Sequence, residues 1–429
     1  MTLQSANRLP ASAQWCGGLA VAWLLLDSLL TYFIKHWVGY LPPVNALLIV
    51  ILLVVVITWG MRAILPPTHI VVLLCAAVLS MLGSNVFYGE LDLRRVGEII
   101  LSLSAFLVAF FAFRWSDNAE FYRNVFLAVA LAYVAVCVAA LLQVAPAVFP
   151  VVNAVWSNNG VLELRPEVTT DQNFQVYYLL PLALLIMLPF KPLRSAITVI
   201  GAVAALFVLA KLQTRSGVLV FAATVALALL APLWTHALGR RKILLLPVLF
   251  VIAAALNHEL ILQSGSQLIA RFNDSSANTG YSRWLAFMFT IQHMADPAWW
   301  LPRGTQEFIQ RFGYLPHSNI TAMFLEGGLT GLIMWFGVFV IPLAALGRLF
   351  FQGRLDVLAT VILLGGIASL VIQLSLNVPF FKQPWLWAGA VVGTLLRVRT
   401  DHAGAAAAKL PEKPRASSSV RYAKTGARP

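Results

Sequence analysis

Arg94, Arg95, Arg165, Arg215, Arg271, Arg283, Arg303 and Arg311 lie between apolar runs on a side of the chain that carries few lysines, Lys35, Lys382 and Lys211 among them. The planar guanidinium fork grips phosphate or carboxylate through two parallel hydrogen bonds, which a lysine ammonium cannot do. A set rich in arginine and poor in lysine therefore points to recognition of a dense anion. Pairing with lipid phosphates, or with Glu163, Glu167, Asp274 and Glu307, is the alternative for each one taken singly.

Arg215 is the sharpest of the set. It sits in the minimal turn Thr214-Arg215-Ser216-Gly217, with Gln213 beside it, between two apolar runs. Polar groups at that depth are costly and mark function, although an arginine at a helix end can also snorkel to the interface. His317 follows, in Pro316-His317-Ser318-Asn319, where Ser318 or Asn319 is placed to cap the next helix. The positive end of that helix and the nearby arginines favour the neutral imidazole, which can take a proton as a general base. A structural histidine is the competing reading. Beyond it, Glu326-Gly327-Gly328 and Gly331 fall inside the apolar run. Small residues there allow close helix approach, and an intramembrane carboxylate needs a partner.

Several chemistries have no seat. No Asp-x-Asp pair stands among the outward segments, and His258 and His293 lack metal-ligand spacing with His317, so no metal site is expected. There is no Gly-rich phosphate loop followed by lysine and no serine-centred nucleophile elbow. Cys16, Cys75 and Cys137 all fall in apolar runs and define neither a disulfide nor a metal set.

These residues need a membrane bundle to position them. The chain of 429 residues is 60% hydrophobic and 11% charged, with a mean hydropathy of +0.82. A soluble domain cannot hide that much apolar surface. Runs of about 20 apolar residues recur along the chain, each able to cross roughly 30 Å of hydrocarbon. The spacing predicts an all-α polytopic membrane protein with about 12 transmembrane helices. The spans fall near 15–34, 44–61, 68–84, 97–113, 124–143, 174–190, 194–212, 217–235, 243–257, 319–343, 356–375 and 379–396, the first retained rather than cleaved. Arg62, then Arg114 and Arg123, Lys191 and Arg194, Arg240 to Lys242, and Arg348 and Arg354 occupy alternate short loops, so that side is read as cytoplasmic. Segments 144–173 and 258–318 then face outward, the second a long loop before the tenth span, with a helical stretch from Tyr281 to Met294 and interface aromatics Trp299 and Trp300. Residues 1–397 are read as one transmembrane domain and 398–429 as a basic, disordered cytoplasmic tail. The net charge of +13 reflects this orientation bias and not nucleic-acid binding.

The segment from Tyr281 to Gly331 resembles the O-antigen ligase and O-antigen polymerase superfamily. The matching residues are Ser282-Arg283-Trp284, Trp300 and Gly304, Pro316-His317-Ser318-Asn319, and Glu326-Gly327-Gly328-Leu329-Thr330-Gly331. Thr214-Arg215-Ser216-Gly217 matches a second family element, and Asn173 with Gln175 a weaker third. The short tail and the lack of a large extra outer domain resemble the ligases more than the protein O-oligosaccharyltransferases. Some relatives carry a second histidine near the matching one, where this chain has Pro316.

The resemblance implies a glycosyltransferase C-like membrane enzyme of the bacterial inner membrane, with its active site facing the periplasm. It implies transfer of a polysaccharide from an undecaprenyl diphosphate-linked glycan to a sugar hydroxyl of a lipid A-core acceptor, by inversion and without metal or other cofactor. His317, Arg215 and Arg283 are then the catalytic candidates, with Arg165, Arg303, Arg311 and Asn319 at the substrate. Besides substrates, only membrane lipids are expected as partners. Two readings remain beside it: an O-antigen polymerase using the same donor, and a transporter of lipid-linked glycans, against which stands the lack of repeated halves. A non-catalytic scaffold is a third.

Overall fold

The computed structural model describes residues 11–38, 44–87, 93–115, 119–142, 154–156, 162–164, 279–304, 306–313, 318–375 and 382–408, with isolated positions between them. These residues are mostly helical. In chain order they form α1 (Ala11–Val38), α2 (Val44–Trp59), α3 (Met61–Ile64), α4 (Thr68–Phe87), α5 (Leu93–Arg114) and α6 (Ala119–Leu141). After two short strands come α7 (Thr279–Met294), a 3-10 turn (Pro297–Trp299), α8 (Gln306–Phe312) and α9 (Asn319–Trp335). A π segment (Phe336–Val340) joins α9 to α10 (Ile341–Phe351), and α11 (Val357–Ser375) and α12 (Lys382–Ala408) follow.

Among the described residues, Val96–Arg114, Glu120–Ala139, Asn319–Phe351 and Val357–Leu374 are long and apolar enough to cross a membrane, and Ile49–Trp59 and Thr68–Ser84 are shorter apolar helices. The protein is thus membrane-embedded and helical. The stretches 174–190 and 243–257 lie outside the described residues. Of 194–212 and 217–235 a few positions are described, and Ala205, Val208, Val220 and Phe221 are buried in the main core.

Two departures from the sequence reading have local causes. Ala154–Trp156 and Leu162–Leu164 pair as antiparallel strands, with Val155 opposite Glu163, so the chain is not wholly α-helical as expected. Asn159-Gly160 lies between them, a dipeptide that favours tight chain reversal. At the other end, α12 runs on to Ala408, so the first part of the stretch read as a disordered tail is helical. Its Ala405 to Ala408 run is built from the best helix former.

The bundle centres on α5 and α12. Gly389 and Gly393, one turn apart on α12, lie against the backbone of Phe106 and Phe110 on α5, where any side chain would collide. Between helices in lipid no hydrophobic effect drives association, so this close backbone approach supplies the van der Waals contact that does. Around the pair, Ala105, Ala109, Phe126, Tyr133, Ile362 and Trp387 form one core. Met81, Phe106, Phe324, Trp335 and Trp385 form a second, which ties α4 and α9 to the same pair. Large aromatics thus fill the interior, while Ile57, Leu79 and Ile341 point outward as a lipid-facing surface should.

Basic residues gather at one end. Arg114 donates to the Leu65 carbonyl just past α3, which carries Arg62. Arg397 of α12 pairs with Asp356 at 2.8 Å. Arg348, Arg354 and Arg399 line one groove at the same end.

Candidate functional site around a broken helix

Glu326-Gly327-Gly328 does more than let helices approach. The tenth span is predicted as an unbroken helix over 319–343, but Gly328 takes φ 61° and ψ −150° and interrupts α9. The left-handed φ suits glycine alone, because a Cβ would crowd the following carbonyl. At Gly328 a Cβ would also strike the Trp300 carbonyl and the Leu301-Pro302 peptide. The segment Trp300 to Pro302 has docked its backbone into the break.

The docking satisfies the groups that the break releases. The Leu325 carbonyl accepts the Arg303 and Gly304 amides, both at 2.9 Å, and the Leu329 amide donates to the Trp300 carbonyl at 2.9 Å. The Gly327 carbonyl accepts the Thr330 hydroxyl at 2.6 Å and the Ser80 hydroxyl of α4 at 3.1 Å. Irregular backbone at membrane depth persists only when such partners replace the helical ones. Gly304 itself has φ 75°, which places a second glycine of the matched set at a position other residues avoid.

The rod from Asn319 to Phe351 has 33 residues, or about 50 Å at the helical rise, whereas hydrocarbon needs only about 30 Å. It therefore has length to spare, and the first half of α9, Asn319 to Gly328, is buried throughout. The α7 helix packs along that half. The Thr321 hydroxyl lies between the Ala286 carbonyl at 2.9 Å and the Thr290 hydroxyl at 2.8 Å, two successive turns of α7. Arg283 precedes Ala286 by three residues and Ser318 precedes Thr321 by three. The backbones of both thus lie one turn from this contact.

Ser318 occupies the N-cap of α9 with extended dihedrals, but its side chain makes no capping bond. Asn319, expected at the substrate, is 1% exposed. Its side-chain amide reaches the Gln373 carbonyl oxygen of α11 at 3.5 Å, and that oxygen also accepts the Trp335 indole at 3.0 Å. The Gln373 amide nitrogen is buried without a partner among the described residues. Sequence reasoning missed Gln373. A lone glutamine inside an apolar run was the available signal, since such a group is costly unless it bonds within the bundle.

Arg303 and Arg311 come together on one aromatic cluster. Phe289, His293, Trp299, Phe308 and Phe312 pack edge to face or stacked, with His293 4.1 Å from both Phe289 and Trp299. Trp299, expected at the interface, is partly buried here. The Arg303 guanidinium lies 4.9 Å from the Trp299 ring and donates to the Ala298 carbonyl at 2.8 Å. Arg311 lies 5.8 Å from Phe289 and 5.6 Å from Phe312. Stacking uses the face of each guanidinium and leaves its in-plane N–H groups for hydrogen bonds. Arg303 spends part of that capacity within its own loop, and the exposed Arg311 makes no described hydrogen bond.

No protein-family model matches the chain, and no curated protein matches it significantly. The site must be argued from its own residues. His317, Arg215 and Arg165 lie outside the described residues, as does the side chain of Arg283. What the described residues contribute is the frame on either side of them. Ser318 follows His317 directly, and the core residues Val208 and Val220 bracket the Arg215 turn.

Proposed function

We propose that the protein is an O-antigen ligase. It transfers a polysaccharide from undecaprenyl diphosphate to a sugar hydroxyl of lipid A-core, on the periplasmic face of a bacterial inner membrane and within a bundle of about 12 spans. One observation carries the reading. Trp300 and Gly304 bond to Leu329 and Leu325 of α9, and Ala286, one turn past Arg283, meets Thr321, one turn past Ser318. These contacts tie the segments that carry Arg283 and Trp300 to the helix that His317 precedes.

In this reading Arg215 and Arg283 bind the donor diphosphate and stabilise the charge that grows on it as the glycosyl bond breaks. His317 takes the proton of the acceptor hydroxyl as its oxygen attacks the anomeric carbon, with inversion there. Undecaprenyl diphosphate departs with the bonding electrons. Arg311, exposed beside Phe289 and Phe312, offers a further anion contact, while Arg303 chiefly ties the loop to Trp299 and Ala298. Buried Asn319 positions the start of α9 through Gln373.

The test is transfer by the purified protein, with the lipid-linked glycan as donor and either lipid A-core or a second lipid-linked glycan as acceptor. Product on lipid A-core alone supports the ligase, and product only on the lipid-linked glycan makes the protein a polymerase. No transfer to either, with donor crossing the bilayer, makes it a transporter.

A further inference from the structure

At the end of the α9–α10 rod remote from Ser318, two grooves adjoin and share Ala344, Arg348 and Gln352. The first, of about 740 Å³, is a trough between α10 and α11 walled by Leu343, Phe351, Leu363, Ile367 and Leu370. The second, of about 550 Å³, is lined by Arg348, Arg354 and Arg399, with Ala345 and Leu349 as its floor. Both are open and mostly apolar, and the second is edged by the three arginines.

The three arginines come from three places: the last turn of α10, the turn before α11, and the far part of α12. All three are exposed. Asp356, the carboxylate nearest in sequence to Arg354, is bonded to Arg397 at 2.8 Å. Asp401 on α12 is exposed, and among the described residues no ion pair joins it or any acid to Arg348, Arg354 or Arg399. A single arginine at a helix end is explained by the helix dipole and by snorkelling. Three that line one groove, with no carboxylate bonded to them among the described residues, offer an anion uncompensated positive charge.

We propose that this double groove binds one anionic phospholipid, its phosphodiester among Arg348, Arg354 and Arg399 and an acyl chain in the trough. The trough runs from Arg348 back to Val340, about 12 Å along the helix, enough for the upper part of an acyl chain. Basic pockets between transmembrane helices recognise anionic headgroups in this way. A choline headgroup would bring its own cation against the three guanidiniums, so phosphatidylcholine is disfavoured. Inorganic phosphate would meet the arginines but leave the trough empty. The site lies at the other end of the rod from the proposed transfer site, so it stands or falls independently of the ligase reading.

Native mass spectrometry of the full chain, titrated with phosphatidylglycerol or phosphatidylcholine of matched acyl chains, tests this. The wild type is expected to retain one phosphatidylglycerol at least about tenfold more tightly than phosphatidylcholine. The triple variant Arg348→Gln, Arg354→Gln, Arg399→Gln should bring the two lipids within about twofold of each other. Arg62→Gln, at the same end but outside the groove, should leave the preference intact. If the triple variant does not fold, as judged by its melting profile, each single variant should still lose part of the preference. Equal retention of both lipids, an unchanged preference in the arginine variants, or equal thermal protection by inorganic phosphate would overturn the proposal. So would a wild-type dimer that carries no lipid.

Discussion

Gly328 rests so close to the Trp300 carbonyl that a single added carbon would occupy the space of that oxygen. The contact locks the segment around Trp300 onto a helix broken at φ 61°. Gly328→Ala should therefore cost about 1–3 kcal/mol from the backbone conformation alone, and more from the collision. Gly83, inside α4 with open space around it, is the control, and Gly83→Ala should stabilise slightly, by up to about 1 kcal/mol. Thermal unfolding of both variants in detergent checks this, and a Gly328→Ala protein as stable as wild type would mean that the break does not hold the loop.

Gln373 joins Asn319 and Trp335 in the buried interior. Gln373→Leu strands both donors and should destabilise by roughly 1–3 kcal/mol. A double-mutant cycle with Trp335→Phe should show a coupling of about 0.5 kcal/mol or more. Additive losses would mean that the indole does not bond the glutamine.

Arg303 ties Trp299 and the Ala298 carbonyl to the loop that docks on α9. Arg303→Ala removes both contacts and should speed amide exchange at Gly304, whose N–H bonds to the Leu325 carbonyl. Loss of the ring contact alone corresponds to about 0.5–1 kcal/mol, or roughly a twofold to fivefold rise in exchange rate. Arg311→Ala, which breaks no such backbone tie, should leave that amide unchanged.

Arg215→Lys keeps the charge and loses the fork, so transfer should fall by about tenfold or more at normal protein levels. Turnover that matches wild type would remove Arg215 from the diphosphate site.

Much of the helical order was legible because periodic apolar runs admit few alternatives in lipid. The expected spans at 68–84 and 356–375 match α4 and α11 to within three residues at each end, and 15–34 lies inside α1. The helical stretch expected from Tyr281 to Met294 is α7. The break at Gly328 was not legible, because hydropathy is unchanged by a reversal of one φ angle. What decides it is the carbonyl of Trp300, brought there by tertiary docking. The Arg303 contact with Trp299 and the Asn319 contact with Gln373 depend in the same way on residues distant or unremarkable in sequence. Composition could place these side chains on a face of the bundle but could not say which ring or amide each would meet.

The central claim is transfer at the start of α9 with His317 as the base. Its most direct test is in vitro transfer by purified wild type and His317→Ala, with undecaprenyl diphosphate-linked glycan, lipid A-core and a metal chelator present. Wild type should form product in the chelator, and His317→Ala should retain donor binding while its rate falls by about 10²-fold or more. Unchanged product formation by His317→Ala, or a wild-type reaction abolished by the chelator, would contradict the account.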